Sequence, residues 1–183
     1  MRAGRMESLC EVLALTGDLT AQRISTAWLS IRSQDSGGAP ETTGLRSPVK
    51  LEIRGRYTTH IIRGRYIRRG PRLIYVEDAR DPDDNRRDIV ITGSALIGEP
   101  AVYRPKNGDP RPCRVFVNYL APTMDDYGQT TDYRISAEVA IIETGRIQPY
   151  EQLEIAGITY DVTGYRGDTD DGVVRGLWLD RPR

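Results

Sequence analysis

Gly70-Pro71-Arg72-Leu73-Ile74-Tyr75-Val76, then Asp81-Pro82-Asp83-Asp84-Asn85-Arg86-Arg87-Asp88-Ile89-Val90-Ile91, is a pattern the chain uses twice. Near the end it returns as Gly157-Ile158-Thr159-Tyr160-Asp161-Val162, then Asp168-Thr169-Asp170-Asp171-Gly172-Val173-Val174-Arg175-Gly176-Leu177-Trp178-Leu179. Each copy reads as a glycine, a short apolar strand with a tyrosine, an acidic turn and a second apolar strand. The copies lie about 85–90 residues apart, about half of the 183-residue chain. Recurrence at a fixed spacing marks a unit built twice. Two copies do not make a solenoid; they predict two similar small β domains in tandem.

Outward from that hairpin the chain alternates with period two. Residues 6–13 read as a strand, and Thr16-Gly17-Asp18-Leu19-Thr20 as a turn. Ile24 to Ile31 reads as a strand with Ile24, Thr26, Trp28 and Ser30 on one face and Ala27, Leu29 and Ile31 on the other. Val49, Leu51 and Ile53 point inward from a further strand. Ile61–Ile67, Leu73–Val76 and Ile89–Ile91 complete the first set. Residues 33–48 are small, polar and rich in breakers, and predict a long mobile loop. Ser94–Pro105 reads as a junction. Strands are expected again at 114–119, 133–143, 151–155, 158–162 and 173–179. Only residues 6–15 and 134–143 could form helices, and in the latter Ile135, Ala137, Val139 and Ile141 alternate as in a strand. The expected class is therefore all-β: two small β-barrel or sandwich domains in tandem, residues 1–95 and 96–183, with the long loop inserted in the first.

Composition narrows the functional classes. Mean hydropathy is −0.50 and no stretch approaches the ~18 apolar residues of a membrane span, so no membrane partner is expected. The start, Met1-Arg2-Ala3-Gly4-Arg5-Met6-Glu7, is too charged for a signal peptide. Cys10 and Cys113 lie far apart and predict neither a disulfide framework nor a zinc site, which fits a reducing compartment. Net charge is zero but unevenly spread. Residues 1–95 hold sixteen Arg or Lys against twelve Asp or Glu, whereas residues 96–183 hold ten against fourteen. All of the 26 basic residues except Lys50 and Lys106 are arginine, whose planar fork suits interfaces.

No motif points to catalysis, a metal or a cofactor. Asp81, Asp83 and Asn85 match the early positions of a calcium loop, but Arg86 stands where that loop needs glycine and Thr92 where it needs glutamate. The second copy fails likewise, with Leu179 at the last position. Acidic hairpin turns explain both. His60 is the one histidine and has no nucleophile elbow to serve. No phosphate-cradling glycine loop occurs. The sequence thus predicts a protein that is not an enzyme. What remains is an arginine run from Arg54 to Arg72 that holds seven arginines and no acid. Arg63 and Arg65 are expected on one strand face, with Arg68 and Arg69 reaching the turn. Such a stripe suits DNA phosphates, an acidic protein surface, or a charged strand edge that resists aggregation.

Several stretches together resemble the head-tail joining (head-closure, or stopper) proteins of long-tailed phages. They are Met1-Arg2-Ala3-Gly4-Arg5, Ala27-Trp28-Leu29-Ser30-Ile31, Arg56-Tyr57 and Gly70–Val76 with the Asp-rich turn that follows. The resemblance covers about residues 1–95. The second half, with Ala101-Val102-Tyr103-Arg104-Pro105 and Gly157–Val162 before Asp170-Asp171-Gly172, is similar to the lambda-type head-tail joining proteins. The chain is about twice the usual length of the family. The resemblance implies a virion protein at the head-tail interface, assembled in the host cytoplasm as a homo-oligomeric ring, most often a hexamer. Such a ring has portal or adaptor proteins on its head side and the tail terminator or tail tube on its tail side. Double-stranded DNA passes its lumen in weak, non-specific contact. The ring closes the DNA-filled head and offers the tail a surface. It also implies that residues 33–48 gate DNA, with Asp35, Gly37, Gly38, Glu41 and Arg46 as candidates. Arg63, Arg65, Arg68 and Arg69 become candidates for the lumen or a neighbouring subunit. Two alternatives stay open: a tail terminator or adaptor ring of the same connector, and a non-viral module of two SH3- or OB-like barrels.

Overall fold

A computed structural model describes residues 8–33, 43–124 and 130–181 of the chain. These fall into two compact units that divide between Ile97 and Gly98. Each unit is a closed six-stranded antiparallel barrel, so the all-β tandem holds.

The first barrel comprises β1 (Ser8–Leu15), β2 (Ala21–Ser33), β3 (Arg46–Arg56), β4 (Tyr66–Arg69), β5 (Arg72–Arg80) and β6 (Asp88–Leu96). Around the barrel they run β1-β2-β3-β6-β5-β4, closed by β4 against β1. The inward face is the expected alternation: Leu29 on β2, Leu51 and Ile53 on β3, and Ile89 and Ile91 on β6 are buried. They pack with Val12, Ile67, Ile74 and Val76 into one core. On β2, Trp28 faces out, as its opposition to Leu29 requires.

The second barrel comprises β7 (Glu99–Arg104), β8 (Arg111–Met124), β9 (Thr130–Ala140), β10 (Gln152–Ile155), β11 (Ile158–Arg166) and β12 (Val174–Asp180). Its order is β7-β8-β9-β12-β11-β10, closed by β10 against β7. Counted from its own first strand, that is the order of the first barrel. Tyr103, Val115, Val139, Leu153, Tyr160, Val162 and Leu177 form its core.

The recurrence extends to single hydrogen bonds. In barrel 1 the Gly64 N–H donates to Val76 O, the Val76 N–H to Arg65 O and the Arg65 N–H to Ile62 O. In barrel 2 the Tyr150 N–H donates to Val162 O, the Val162 N–H to Glu151 O and the Glu151 N–H to Gln148 O. Every partner is displaced by the same 86 positions, 64 to 150 and 76 to 162. Gly64 and Tyr150 both take positive φ, 87° and 69°. Buried Ile61 and Ile147 precede them. Both barrels carry a strand irregularity at the equivalent place, between Val76 and Asp78 and between Val162 and Gly164. The hairpin read from the sequence is thus the fifth and sixth strand of each barrel.

Several expectations need correction. Ile61–Ile67 is not one strand: residues 61–65 form a turn around Gly64, and only Tyr66 and Ile67 belong to β4. Arg63 and Arg65 therefore share no strand face. The tyrosines of the two hairpins are not equivalent. Ile74 lies opposite Ile67 as Tyr160 lies opposite Leu153, so Tyr160 matches Ile74 and Tyr75 matches Asp161. The 33–48 loop is shorter than expected, because Ser33 ends β2 and Arg46, Ser47 and Pro48 begin β3. β3 is irregular between Arg46 and Lys50, which admits a proline with no N–H to give the ladder. The junction narrows to Ile97 and Gly98. Strand β9 ends at Ala140, and Ile141–Thr144 form a helical turn, α1. An alternating strand would expose one of Ile141 and Ile142, whereas the turn buries both. Glu143 of α1 accepts from the Arg114 side chain on β8 at 2.8–3.0 Å, in a largely buried two-pronged ion pair.

Candidate interaction surfaces

The predicted site residues disperse. Asp35, Gly37, Gly38 and Glu41 lie outside the described residues. Arg46 sits in β3, not in a loop; its guanidinium stacks over Tyr75 at 5.2 Å and lies 3.9 Å from Glu77. Arg68 donates to Glu11 across β1 and β4 at 2.7 Å. Arg69 lies opposite Arg72 at the β4–β5 turn, and both are exposed. Arg63 is exposed in the turn before β4, and Arg65 is half-buried. Among the described residues no ion pair neutralises Arg63, Arg65, Arg69 or Arg72. They form a patch around β4 and β5 instead of a stripe along one strand.

The acidic turns spend their oxygens on their own backbone. The Asp81 carboxylate accepts from the N–H of Asp83 and of Arg86, the latter at 2.6 Å. Asp171 accepts from Val173 and Val174, and Asp170 from Gly172. These are Asx-type turns, the role given by turn chemistry. Among the described residues no three His, Cys, Asp or Glu gather as a metal would need. Both thiols are buried in the barrel interiors. Burial pushes Cys113 up to about 12, helped by the Glu143 carboxylate. Burial raises Cys10 too, against the pull of Arg69. At both positions burial disfavours the reactive thiolate.

One polar cluster recurs on the outside of both barrels. Lys50 on β3 donates to Glu77 and to Ser94. Arg134 on β9 reaches Thr163 and Asp180. Thr163 and Asp180 stand 86 positions after Glu77 and Ser94, so each barrel clamps its bulge to the neighbouring strands with a cation. Burial alone would raise Glu77, but the hydrogen bonds from Lys50 and Ser94 and the nearby charges outweigh it and hold its pKa below the ordinary 4.5. A lowered carboxyl pKa stabilises the fold above that range and loses the contribution as pH falls through the folded value. Glu77→Gln is expected to remove part of the acid limb in the pH dependence of barrel 1 stability below about pH 5. Amide exchange at several pH values reads this, and an unchanged acid limb would count against the clamp.

Two further surfaces among the described residues expose large apolar side chains. On barrel 1, a groove of about 530 Å³ is lined by Ser25–Trp28 of β2, Arg56 at the end of β3, and Tyr57, Thr58 and His60. Trp28 is 56% exposed, and Leu9, opposite it on β1, is 55% exposed. No acid lines the groove. Leu29 and Gly55 lie opposite each other in the β2–β3 ladder, which brings Trp28 near Arg56. A side chain at Gly55 would collide with Leu29 Cδ2, 2.5 Å from its Cβ position. No local pattern in the sequence marks this groove, because its parts come from separate strands.

On barrel 2, β8 and β9 continue beyond their neighbours. β7 pairs with β8 only as far as Val115, and β12 pairs with β9 only from Ile135. Beyond those points Ala121, Pro122 and Thr123 pair with Arg134, Tyr133 and Asp132, and the described residues there form a two-stranded ribbon. At the irregularity between Asn118 and Ala121, the Tyr119 hydroxyl is tied to Tyr160 of the same barrel and Leu120 turns outward. Tyr119 and Leu120 are 52% and 72% exposed, and Tyr133 is 61% exposed.

The chain matches no family model, no curated protein and no solved structure. The groove and the ribbon therefore stand on their own geometry.

Proposed function

We propose that this chain is a structural component of a tailed-virus neck, a connector ring that closes the filled head and presents a surface to the tail. The observation that carries the reading is the tandem itself. Two closed barrels of one strand order, each with long second and third strands, fit the doubled connector that the sequence resemblance implies. In strand order the β2–β3 connection of barrel 1, to which the gating loop would belong, corresponds to the β8–β9 connection of barrel 2.

The charge pattern supports weak lumen contact with DNA. Duplex DNA holds one charge per ~1.7 Å of axis, and a dense unpaired arginine lining in several copies would grip it. Here Arg23, Lys50, Arg54 and Arg68 are tied to acids of their own barrel. Of the arginines of barrel 1 with no ion pair among the described residues, Arg63, Arg65, Arg69 and Arg72 cluster around β4 and β5 and are the candidates for the lumen or a neighbour. The adaptor level of the connector is disfavoured, since adaptors are expected to be helix-rich and α1 is four residues long. A tandem-barrel binding module is the second reading, favoured by the open groove beside Trp28.

The test is location. Epitope-tagged chain is expected at the head-tail junction of purified particles by electron microscopy, and deletion of its gene should leave separate heads and tails. Tailed, infectious particles made without it would overturn the reading.

A further inference from the structure

We propose that the β8–β9 ribbon of one copy docks in the Trp28 groove of a second copy, giving a head-to-tail contact. Among the described residues no third strand pairs with the ribbon. A two-stranded ribbon is marginal alone in water, and this one displays Leu120 and Tyr133. It also offers a carboxylate: Asp132 is exposed on it, whereas Arg134 of the ribbon is tied to Asp180. The groove is complementary. It offers Trp28 and Tyr57 for apolar contact, Arg56 for a carboxylate and no acid of its own. Asp88 lies opposite Arg56 across β3 and β6, yet among the described residues the two form no ion pair. Trp, Tyr and Arg are the residue types that anchor interfaces most often.

Groove and ribbon are different surfaces, so the contact is heterologous and leaves one of each free on a pair. Such contacts close into rings or run on as filaments. A second copy is favoured over single-stranded nucleic acid, which would also stack on Trp28 and Tyr57, because this groove presents a single arginine and an apolar counterpart with an exposed carboxylate lies on the same chain.

The experiment uses the full chain. Wild-type protein is expected to associate with rising concentration up to about 1 mM in sedimentation, a range that covers weak specific contacts. Leu120→Ser with Tyr133→Ser should abolish this, as should Trp28→Ala with Arg56→Glu, with circular dichroism unchanged. A mixture of the two variants should form one-to-one dimers that grow no further, because one intact groove meets one intact ribbon. Arg56→Glu alone should weaken association by at least about tenfold, and adding Asp132→Arg should restore it. Wild-type association that survives both paired variants would overturn this contact and leave the ring reading intact. A wild-type chain monomeric throughout would overturn the contact while particle location still decides the ring. Binding of oligo-dT that requires Trp28, without self-association, would overturn it in favour of nucleic acid.

Discussion

Glu151→Ala is expected to open barrel 2 while leaving barrel 1 intact. Glu151 is a carboxylate that is only 8% exposed. One oxygen accepts from the Tyr103 hydroxyl and from the Gln148 N–H, both at 2.6 Å, and the other from the Lys106 N–H at 3.1 Å. It thus ties β7, the residues just after it and the turn before β10 together. Tyr103 is buried beside it, and burial, then the Glu151 bond and charge, raise the phenol well above its ordinary pKa of 10. Removing the carboxylate strands a buried hydroxyl and two backbone donors, each costing about 1–3 kcal/mol. The expected loss is about 3–5 kcal/mol, a large part of what a small domain has. Glu151→Gln keeps an acceptor but turns an amide N–H₂ toward a donor, so about 1–2 kcal/mol should go. Hydrogen exchange resolved by segment reads the two barrels separately. Exchange in β10 and β11 unchanged by Glu151→Ala would show that the carboxylate is not the tie described.

Barrel 1 lacks this device. The position equivalent to Glu151 is Arg65, whose side chain takes no part in such a network among the described residues. The difference explains what could be read from the chain and what could not. Strand periodicity was legible wherever one face is buried, as with Leu51 and Ile53 on β3. The repeat was legible because a two-residue turn, an apolar strand and an acidic turn each have local chemistry. Gly70 and Gly157 both have positive φ, at the first and second turn position respectively. Its exact alignment was hidden, since Tyr75 and Tyr160 look alike yet face opposite ways: Tyr160 enters the core, and Tyr75 packs outside on Tyr66. Ile61, Ile62 and Ile67 read as one strand because apolarity does not reveal the positive φ at Gly64. The groove and the ribbon were invisible for another reason. Trp28 meets Arg56 only through the pairing of β2 with β3, and the ribbon is defined by where β7 and β12 stop. Both are properties of pairing between strands, which no single window of sequence contains.

Gly93→Ala is the reciprocal test, expected to open barrel 1 and spare barrel 2. Gly93 lies within β6, opposite Val76 on β5 and Leu51 on β3, so both of its flanks are occupied. A Cβ there would stand 2.6 Å from the Tyr75 carbonyl oxygen and 2.8 Å from Ile74 Cγ2. The oxygen belongs to the backbone of a paired strand and cannot swing aside, so the strands must part. Overpacking a closed core typically costs about 1–3 kcal/mol, and a clash with backbone belongs at the upper end or above. The topology itself does not demand glycine. The equivalent residue of barrel 2, 86 positions on, is Leu179, buried and part of that core. The requirement is therefore local to barrel 1, where the Tyr75 carbonyl and Ile74 Cγ2 crowd the Cβ position. Leu179→Ala should accordingly act in the opposite sense, leaving a cavity in barrel 2 at about 2–5 kcal/mol. In segment-resolved exchange, Gly93→Ala should speed β5 and β6 alone, and Leu179→Ala β11 and β12 alone. If either substitution loosened both barrels together, the two cores would not be independent, and the description of the chain as two separately closed barrels would fail.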